Sequence, residues 1–149
     1  MPVYTVYATV DHLSPAIKAD VARGITRVHS ELTGTPRFIA QVIFQDVSAG
    51  NFFLGGNPQR AVNVFVHGQT RSGRTPERKR ELTIKLVEAV SKITSIDKRR
   101  IWTYIDERPA SQMAEYGHIL PDPGKEAEWL ATLPPEDRTF MEANVWSPE

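Results

Sequence analysis

One pattern occurs twice in this chain of 149 residues, and it constrains the fold more than any other feature. In its first copy, residues 3–10 are rich in Val, Tyr and Thr, which favours a β-strand. Ser14-Pro15 then supplies a helix N-cap and a first-turn proline. Apolar residues recur every three or four positions from Ile17 to Leu32, as on one face of an amphipathic helix. Residues 38–44 predict a second strand, which completes a β-α-β unit.

The second copy follows at a constant offset of 61 residues. Thr75-Pro76 occupies the place of Ser14-Pro15, so a capped helix is predicted again. Apolar residues from Leu82 to Ile93 repeat the helical spacing, and residues 101–105 repeat the second strand. Because caps, helix and strands match without a gap, we interpret the chain as an internal duplication.

Two β-α-β units give four main strands and two long helices. Right-handed crossovers leave the strands of each unit parallel and place both helices on one face. The predicted fold is α/β (α+β in some schemes), with tandem β-α-β units in a four-stranded mixed sheet. We expect a single domain over 1–149, with pseudo-repeats 2–60 and 61–118 and a C-terminal extension 119–149. This proline-rich extension has room for only short helices, at 124–131 and 135–143.

Composition narrows the function. The absence of cysteine excludes disulfides, thiolate metal sites and cysteine nucleophiles. Lys and Arg number 18 and Asp and Glu number 18, so zero net charge gives no reason to expect nucleic acid or a membrane surface. The four histidines lie far apart in the sequence, so no metal site is predicted. No glycine-rich phosphate-binding motif occurs either. With neither a long apolar run nor a signal sequence, we expect a cytoplasmic protein.

Pro2 directly follows the initiator methionine. A small second residue permits removal of Met1, which would expose a secondary amine able to act as acid, base or nucleophile. The alternative is a proline that merely starts an edge strand. If Met1 stays, the Pro2 nitrogen is an amide and cannot do this chemistry.

Arg71 and Arg74 lie between the third main strand and the second helix. Two guanidiniums beside a helix N-terminus suit a carboxylate or phosphate, although solvated surface arginines are the alternative. If a pseudo-two-fold axis relates the units, strands one and three are antiparallel and Pro2 lies beside these arginines. With parallel strands the separation would be roughly 20 Å at about 3.3 Å per residue.

Three further residues have both a functional and a structural interpretation. His29 lies at the border of the first helix's apolar face, where it is a ligand-binding group or a half-buried structural histidine. Tyr104 lies in the last main strand, where its phenol points into a site or only packs. Glu115 comes just after that strand and is either a reacting group or a solvated loop carboxylate.

These residues together resemble the tautomerase superfamily and, within it, the cis-3-chloroacrylic acid dehalogenase family. The resemblance runs over nearly the whole chain and includes the segments LTGT (32–35), FLGG (53–56) and AEYG (114–117). The family's functional positions fall on an amino-terminal proline, a histidine, two arginines, a tyrosine and a glutamate: Pro2, His29, Arg71, Arg74, Tyr104 and Glu115. One position departs from the pattern, because His118 stands where that family has an arginine.

The resemblance implies an enzyme that forms homotrimers and uses no cofactor. Arg71 and Arg74, helped by His29, would bind the carboxylate of a small unsaturated acid. Glu115 with Tyr104 would activate a water for addition to C-3, and protonated Pro2 would deliver a proton to C-2.

The implied reaction is hydration or dehalogenation of 3-substituted acids to malonate semialdehyde, with promiscuous tautomerase activity. One alternative is an enol–keto tautomerase acting on 2-hydroxy-dienoates or phenylenolpyruvate. Another is a non-catalytic oligomeric binding module.

Overall fold

The computed structural model describes residues 2–9, 11–48 and 50–145. A four-stranded sheet carries two long helices, and a C-terminal extension follows it. The main elements are β1 (Val3–Thr9), α1 (Pro15–Thr33), β2 (Gln41–Val47), β3 (Phe53–Leu54), β4 (Asn57–Pro58), β5 (Val64–Arg71), α2 (Pro76–Thr94), β6 (Ile101–Arg108), β7 (Ala114–Glu115), β8 (His118–Ile119), α3 (Glu126–Thr132) and α4 (Pro135–Ala143).

The sheet is mixed, as predicted, with the strand order β2-β1-β5-β6. β1 runs parallel to β2, and β5 runs parallel to β6. The two units meet in the middle, where β1 and β5 are antiparallel and Val3 lies opposite Gln69. This pairing places the start of β1 beside the end of β5.

The two long helices have the same boundaries after an offset of 61 residues. Each begins at a proline, and the side chain before it caps the helix by accepting a backbone N–H: Ser14 from Ile17 and Thr75 from Arg78, both at 3.3 Å. Each ends on a residue in the left-handed conformation. The local capping signals are therefore confirmed at both helix starts.

The second strand begins later than predicted. Residues 38–44 were expected to form it, but Arg37–Ile39 forms a 3₁₀ turn and β2 starts at Gln41. The backbone N–H of Ile39 donates to the Pro36 carbonyl at 3.2 Å. The Ile39 side chain is buried in a small cluster with Ala110 and Leu120, away from the main core. The predicted start of the strand is therefore wrong, because Ile39 was assigned to the strand for its apolar side chain but is buried as part of the turn. In the first strand, position 10 lies outside the described residues.

The main core fills the space between the sheet and the two long helices. Alternate residues of β1 and β5 face the helices, among them Tyr4 and Val66, and pack against Ile25 of α1 and Leu86 of α2. Gly68 of β5 belongs to this face, and a Cβ at that position would lie only 2.5 Å from Cε1 of Tyr4. The glycine thus makes room for the Tyr4 ring.

The other face of the sheet is more open and apolar. Trp102 and Tyr104 of β6 are exposed there, and Ile43 of β2 is exposed in the same way. The β3–β4 hairpin forms one wall of a groove of about 390 Å³ on this side.

The extension contains the two predicted short helices, at α3 and α4. Among the residues described, no helix is both long and apolar enough to cross a bilayer.

Candidate active site

Pro2 lies at the start of a central strand. β1 has β2 on one side and β5 on the other, so the alternative of an edge strand is wrong. Pro2 is buried, and its carbonyl accepts the backbone N–H of Gln41 at 3.0 Å. Because Val3 pairs with Gln69 in the antiparallel register, Pro2 lies beside the last residues of β5, which ends at Arg71. The predicted proximity of Pro2 to the arginine segment is confirmed.

His29 is buried more deeply than expected, with only 2% of its surface exposed. Its Nδ1 lies 2.8 Å from the Tyr4 hydroxyl. Burial lowers the pKa of His29 to about 3, and the positive charge of Arg74 acts in the same direction. The imidazole is therefore neutral at physiological pH. Burial also raises the pKa of Tyr4 above its usual value, so its hydroxyl stays protonated.

The direction of the hydrogen bond between Tyr4 and His29 determines whether Nε2 of His29 is a donor or an acceptor. When the Tyr4 hydroxyl donates to Nδ1 of the neutral ring, the ring proton resides on Nε2. Nε2 of His29 is buried and has no hydrogen-bond partner among the residues described. In this tautomer, His29 has an uncharged N–H donor that can bind an anion.

Arg71 is also buried, with 1% of its surface exposed, so it is not a solvated surface arginine. One terminal nitrogen donates to the Pro121 carbonyl, and the other forms an ion pair with Glu126. Its Nε is buried and unpartnered within the described part of the chain. The extension therefore holds two of the guanidinium nitrogens and leaves the third available.

Arg74 is half-buried and lies against the same loop. Its Nη1 donates to the Arg71 backbone carbonyl at 2.8 Å. Burial lowers the pKa of Arg74, and the neighbouring charge of Arg71 lowers it further. The negative charges of Glu107 and Glu126 act in the opposite direction, so these two carboxylates balance part of the positive charge.

Glu115 ends the short strand β7, where Tyr116 and Gly117 turn the chain with φ values of 52° and 82°. Burial raises the pKa of Glu115 to about 7, while the positive charges of the amino terminus and of Arg71 act in the opposite direction. A carboxyl group with this pKa exchanges a proton readily near neutral pH.

A cavity of about 730 Å³ adjoins Glu115. Val3 and Gln69 line it, so it reaches the start of β1 and the end of β5. Arg37 and Arg108 add positive charge to its walls. Its volume lies within the ≈300–1,000 Å³ range of pockets that hold small molecules.

Of the predicted site residues, Glu115 lines this cavity. Tyr104 lies elsewhere in the same chain. It is 56% exposed on the open face of the sheet, with its ring edge-on to Phe65 at 5.1 Å between centroids. It lines the apolar groove with Phe53 and Trp102 instead of the cavity beside Glu115. The alternation of β6 explains this position, because Ile101 and Thr103 face the helices.

His118 stands opposite Glu115 in the β7–β8 pair. Its Nε2 lies 2.7 Å from a carboxylate oxygen of Asp137 on α4. The residue that departs from the family pattern thus joins the Glu115 hairpin to the extension. Within the described residues, no group of three or more His, Cys, Asp or Glu could hold a metal ion.

Two contributors were missed by sequence reasoning. Tyr4 could have been found, because it alternates with Val6 and Ala8 on the buried side of β1. Glu126 gave no signal, since its contact with Arg71 joins segments 55 residues apart and follows no periodic pattern.

Comparisons with known proteins show the family of this chain. Residues 1–132 match the family described as "Putative oxalocrotonate tautomerase enzyme". The structure of N1, a member of the cis-3-chloroacrylic acid dehalogenase (cis-CaaD) family, is 35% identical in sequence and superimposes with a TM-score of 0.92. That match covers 95% of this chain and 99% of N1. A search of curated proteins found no match.

More distant structures share the fold. A fused 4-OT, described as a wild-type symmetric trimer, has a TM-score of 0.72 at 22% identity over 79% of this chain and 94% of its own. Macrophage migration inhibitory factor from Toxoplasma gondii has a TM-score of 0.64 at 17% identity, covering 76% of this chain and 95% of its own. The family match over most of the chain and the similarity to N1 lead to one conclusion: this chain belongs to the tautomerase superfamily and is similar to the cis-CaaD family within it.

Proposed function

We propose that the mature protein begins at Pro2 and adds water to small unsaturated carboxylic acids, including 3-halo acids. The observation that carries this proposal is Glu115, whose pKa is raised to about 7 by burial even though the positive charges of the amino terminus and Arg71 act in the opposite direction. A carboxylate with this pKa accepts a proton from water more readily than an ordinary glutamate does.

The acid's carboxylate would bind between Arg74, the Nε–H of Arg71 and the Nε2–H of His29. Both of the latter atoms are buried and lack partners among the described residues, which favours an anionic ligand with two acceptor oxygens. Withdrawal of electrons by this binding makes C-3 of the acid electrophilic.

In the proposed reaction, Glu115 takes a proton from water as the hydroxyl oxygen bonds to C-3. The C2=C3 double bond becomes single, and protonated Pro2 gives a proton to C-2. With chlorine on C-3, the resulting chlorohydrin loses chloride and a proton to give malonate semialdehyde. The protonation state of Pro2 decides between water addition, which needs the cation, and tautomerisation, which needs the neutral amine. Nearby arginines favour the neutral form, and the Glu115 carboxylate favours the cation.

Tyr104 would act from a neighbouring copy. Strands β2 and β6 are the two edges of the sheet, and the exposed apolar face beside β6 carries Tyr104. Association with another copy would cover both the unpaired strand edge and this apolar face, which favours an oligomer. The fused 4-OT described as a symmetric trimer is a structural neighbour. We propose a homotrimer in which each Tyr104 approaches the Glu115 cavity of another subunit.

A second candidate is enol–keto tautomerisation, which the description of the matched family favours. In that reaction neutral Pro2 would remove a proton from an enol and return it to carbon. The arginines would hold the acid as before, but no water would be activated.

An assay panel on purified protein tests these proposals. It comprises cis-3-chloroacrylate, propiolate and phenylenolpyruvate, with the intact mass measured on the same preparation. We expect a mass without Met1 and formation of malonate semialdehyde from the first two acids. Turnover of phenylenolpyruvate alone would assign the tautomerase instead. An active preparation that retains Met1 would overturn the role of Pro2.

A further inference from the structure

We propose that Glu126 is a positioning residue: its carboxylate fixes the Arg71 guanidinium and balances its charge, which makes the C-terminal extension part of the active site. This inference rests on the proposed function, because Arg71 is taken to bind the substrate carboxylate. It assigns a specific task to one residue of the C-terminal extension.

Arg71 lies in a socket built by the extension. Its side chain is 1% exposed and that of Glu126 is 14% exposed, so their ion pair is shielded from solvent. The Pro121 carbonyl accepts from the other terminal nitrogen of Arg71. Pro123 packs near the same loop, since a Cβ on Gly73 would lie 3.6 Å from its Cγ. The guanidinium is thereby held by residues at least 50 positions away in the sequence.

Glu126 is itself held firmly. Burial raises the pKa of Glu126, but the hydrogen bond from Arg71 and those from backbone N–H groups of Glu126 and Gly124 outweigh it. The net effect is a pKa below the usual value, so the carboxylate stays ionised at neutral pH. A charged and anchored partner fixes the plane of the Arg71 guanidinium.

This arrangement has two consequences for the site. One bond from each terminal nitrogen is engaged, and the buried Nε–H, which has no partner among the described residues, is a donor available to a substrate. In addition, the positive charge of Arg71 lowers the pKa of Glu115. The negative charge of Glu126 offsets part of that positive charge. Removing the Glu126 charge would therefore strengthen the effect of Arg71 on Glu115.

A double-mutant cycle tests the proposal. Glu126→Gln keeps the size and an acceptor oxygen but removes the charge, and Glu126→Ala removes both. Each is combined with Arg71→Ala and assayed with propiolate. We expect Glu126→Ala to lower kcat/KM about tenfold in the wild-type background but less than about twofold without Arg71. Glu128→Gln is the matched control on the same helix, because its side chain is 74% exposed and forms an ion pair with Lys125 at 2.9 Å.

The pH profile gives a readout that a merely structural role would not move. In Glu126→Gln, the acid limb of propiolate hydration should shift to lower pH, since uncompensated Arg71 stabilises the Glu115 carboxylate more strongly. Should Glu126→Ala fail to fold, Glu126→Gln carries the test. Equal losses with and without Arg71, or an unshifted limb, would overturn the positioning role. Inactivity of the wild type on both propiolate and phenylenolpyruvate would instead overturn the proposed function, and this role with it.

Discussion

The Tyr4 hydroxyl and His29 Nδ1 are 2.8 Å apart in the core between sheet and helix, and both groups are neutral at physiological pH. When the Tyr4 hydroxyl donates to Nδ1, the ring proton lies on Nε2, which has no hydrogen-bond partner among the described residues. In the proposed mechanism this Nε2–H donates to the substrate carboxylate.

Tyr4→Phe should weaken both stability and substrate binding. Loss of the hydroxyl leaves His29 Nδ1 buried without a partner, which costs about 1–3 kcal/mol in the free energy of unfolding. The Nε2 proton is then no longer fixed, so KM should rise. Urea unfolding and steady-state kinetics measure the two effects. Tyr7→Phe, on the open face of β1, is the control and should change neither.

Gly68→Ala should reproduce part of that phenotype without touching a polar group. The added Cβ would lie 2.5 Å from Cε1 of Tyr4 and 2.8 Å from Cδ1 of Ile105, so the Tyr4 ring must move. We expect a lower Tm and a higher KM. In the double variant with Tyr4→Phe, the effect on KM should be less than additive, because one hydrogen bond cannot be lost twice. If the two effects on KM were fully additive, Gly68 would not act through the hydrogen bond between Tyr4 and His29.

Arg71→Ala and Arg74→Ala should each lower kcat/KM by at least tenfold, which corresponds to about 1.4 kcal/mol. The reason is that a carboxylate held by buried guanidiniums is bound more strongly than an exposed ion pair. Arg80→Ala, exposed on α2, serves as the control and should keep wild-type kinetics. If both site variants also kept them, the substrate carboxylate would have to bind elsewhere.

Glu115→Gln should separate water addition from tautomerisation. The amide nearly preserves size but cannot accept the water proton, and general base catalysis is worth about 10²–10⁴-fold. Hydration of propiolate should therefore be lost, while much of the phenylenolpyruvate tautomerisation remains. Equal loss of the two activities would mean that Glu115 is structural or shared by both reactions. Hydration that survives the substitution would contradict its role as base.

The same substitution should change stability in a pH-dependent way. The Glu115 pKa is about 7 in the folded protein, raised mainly by burial, and about 4.3 in an unfolded chain. Below the lower value both states are protonated and the substitution should matter little. Between the two values the unfolded state loses its proton while the folded state still holds one, so the wild type loses stability as the pH rises from about 4.3 to 7. The Tm of Glu115→Gln relative to wild type should thus increase between about pH 4.3 and 7. A constant difference across this range would contradict the raised pKa.

Local signals predicted much of the fold. Ser14 and Thr75 mark helix starts because a cap acts within three residues, and the antiparallel meeting of the two units follows from their repetition. The turn at Ile39 was not predictable, since its burial depends on the extension.

The site was predictable to a similar degree. Pro2 and Arg71 come together through strand pairing, which a repeat pattern reveals. The ion pair of Arg71 with Glu126 and the separation of Tyr104 depend on side-chain packing between distant segments, and no spacing rule encodes that. Candidate reactive residues are therefore easier to predict from a sequence than the distant residues that hold their side chains in position.

The repeat also has a consequence for the number of reaction centres. An offset of 61 residues maps Pro2 onto Asn63, whose nitrogen is an amide inside the chain, and maps His29 onto Val90. Arg74 corresponds to Leu13, and both Leu13 and Val90 are buried in the apolar core. The pseudo-symmetric position therefore shares the backbone arrangement but has Asn63, Leu13 and Val90 in place of the proline, the arginine and the histidine. The candidate site takes Pro2 and His29 from the first unit and Arg71, Arg74 and Glu115 from the second, so neither unit could carry the proposed reaction alone.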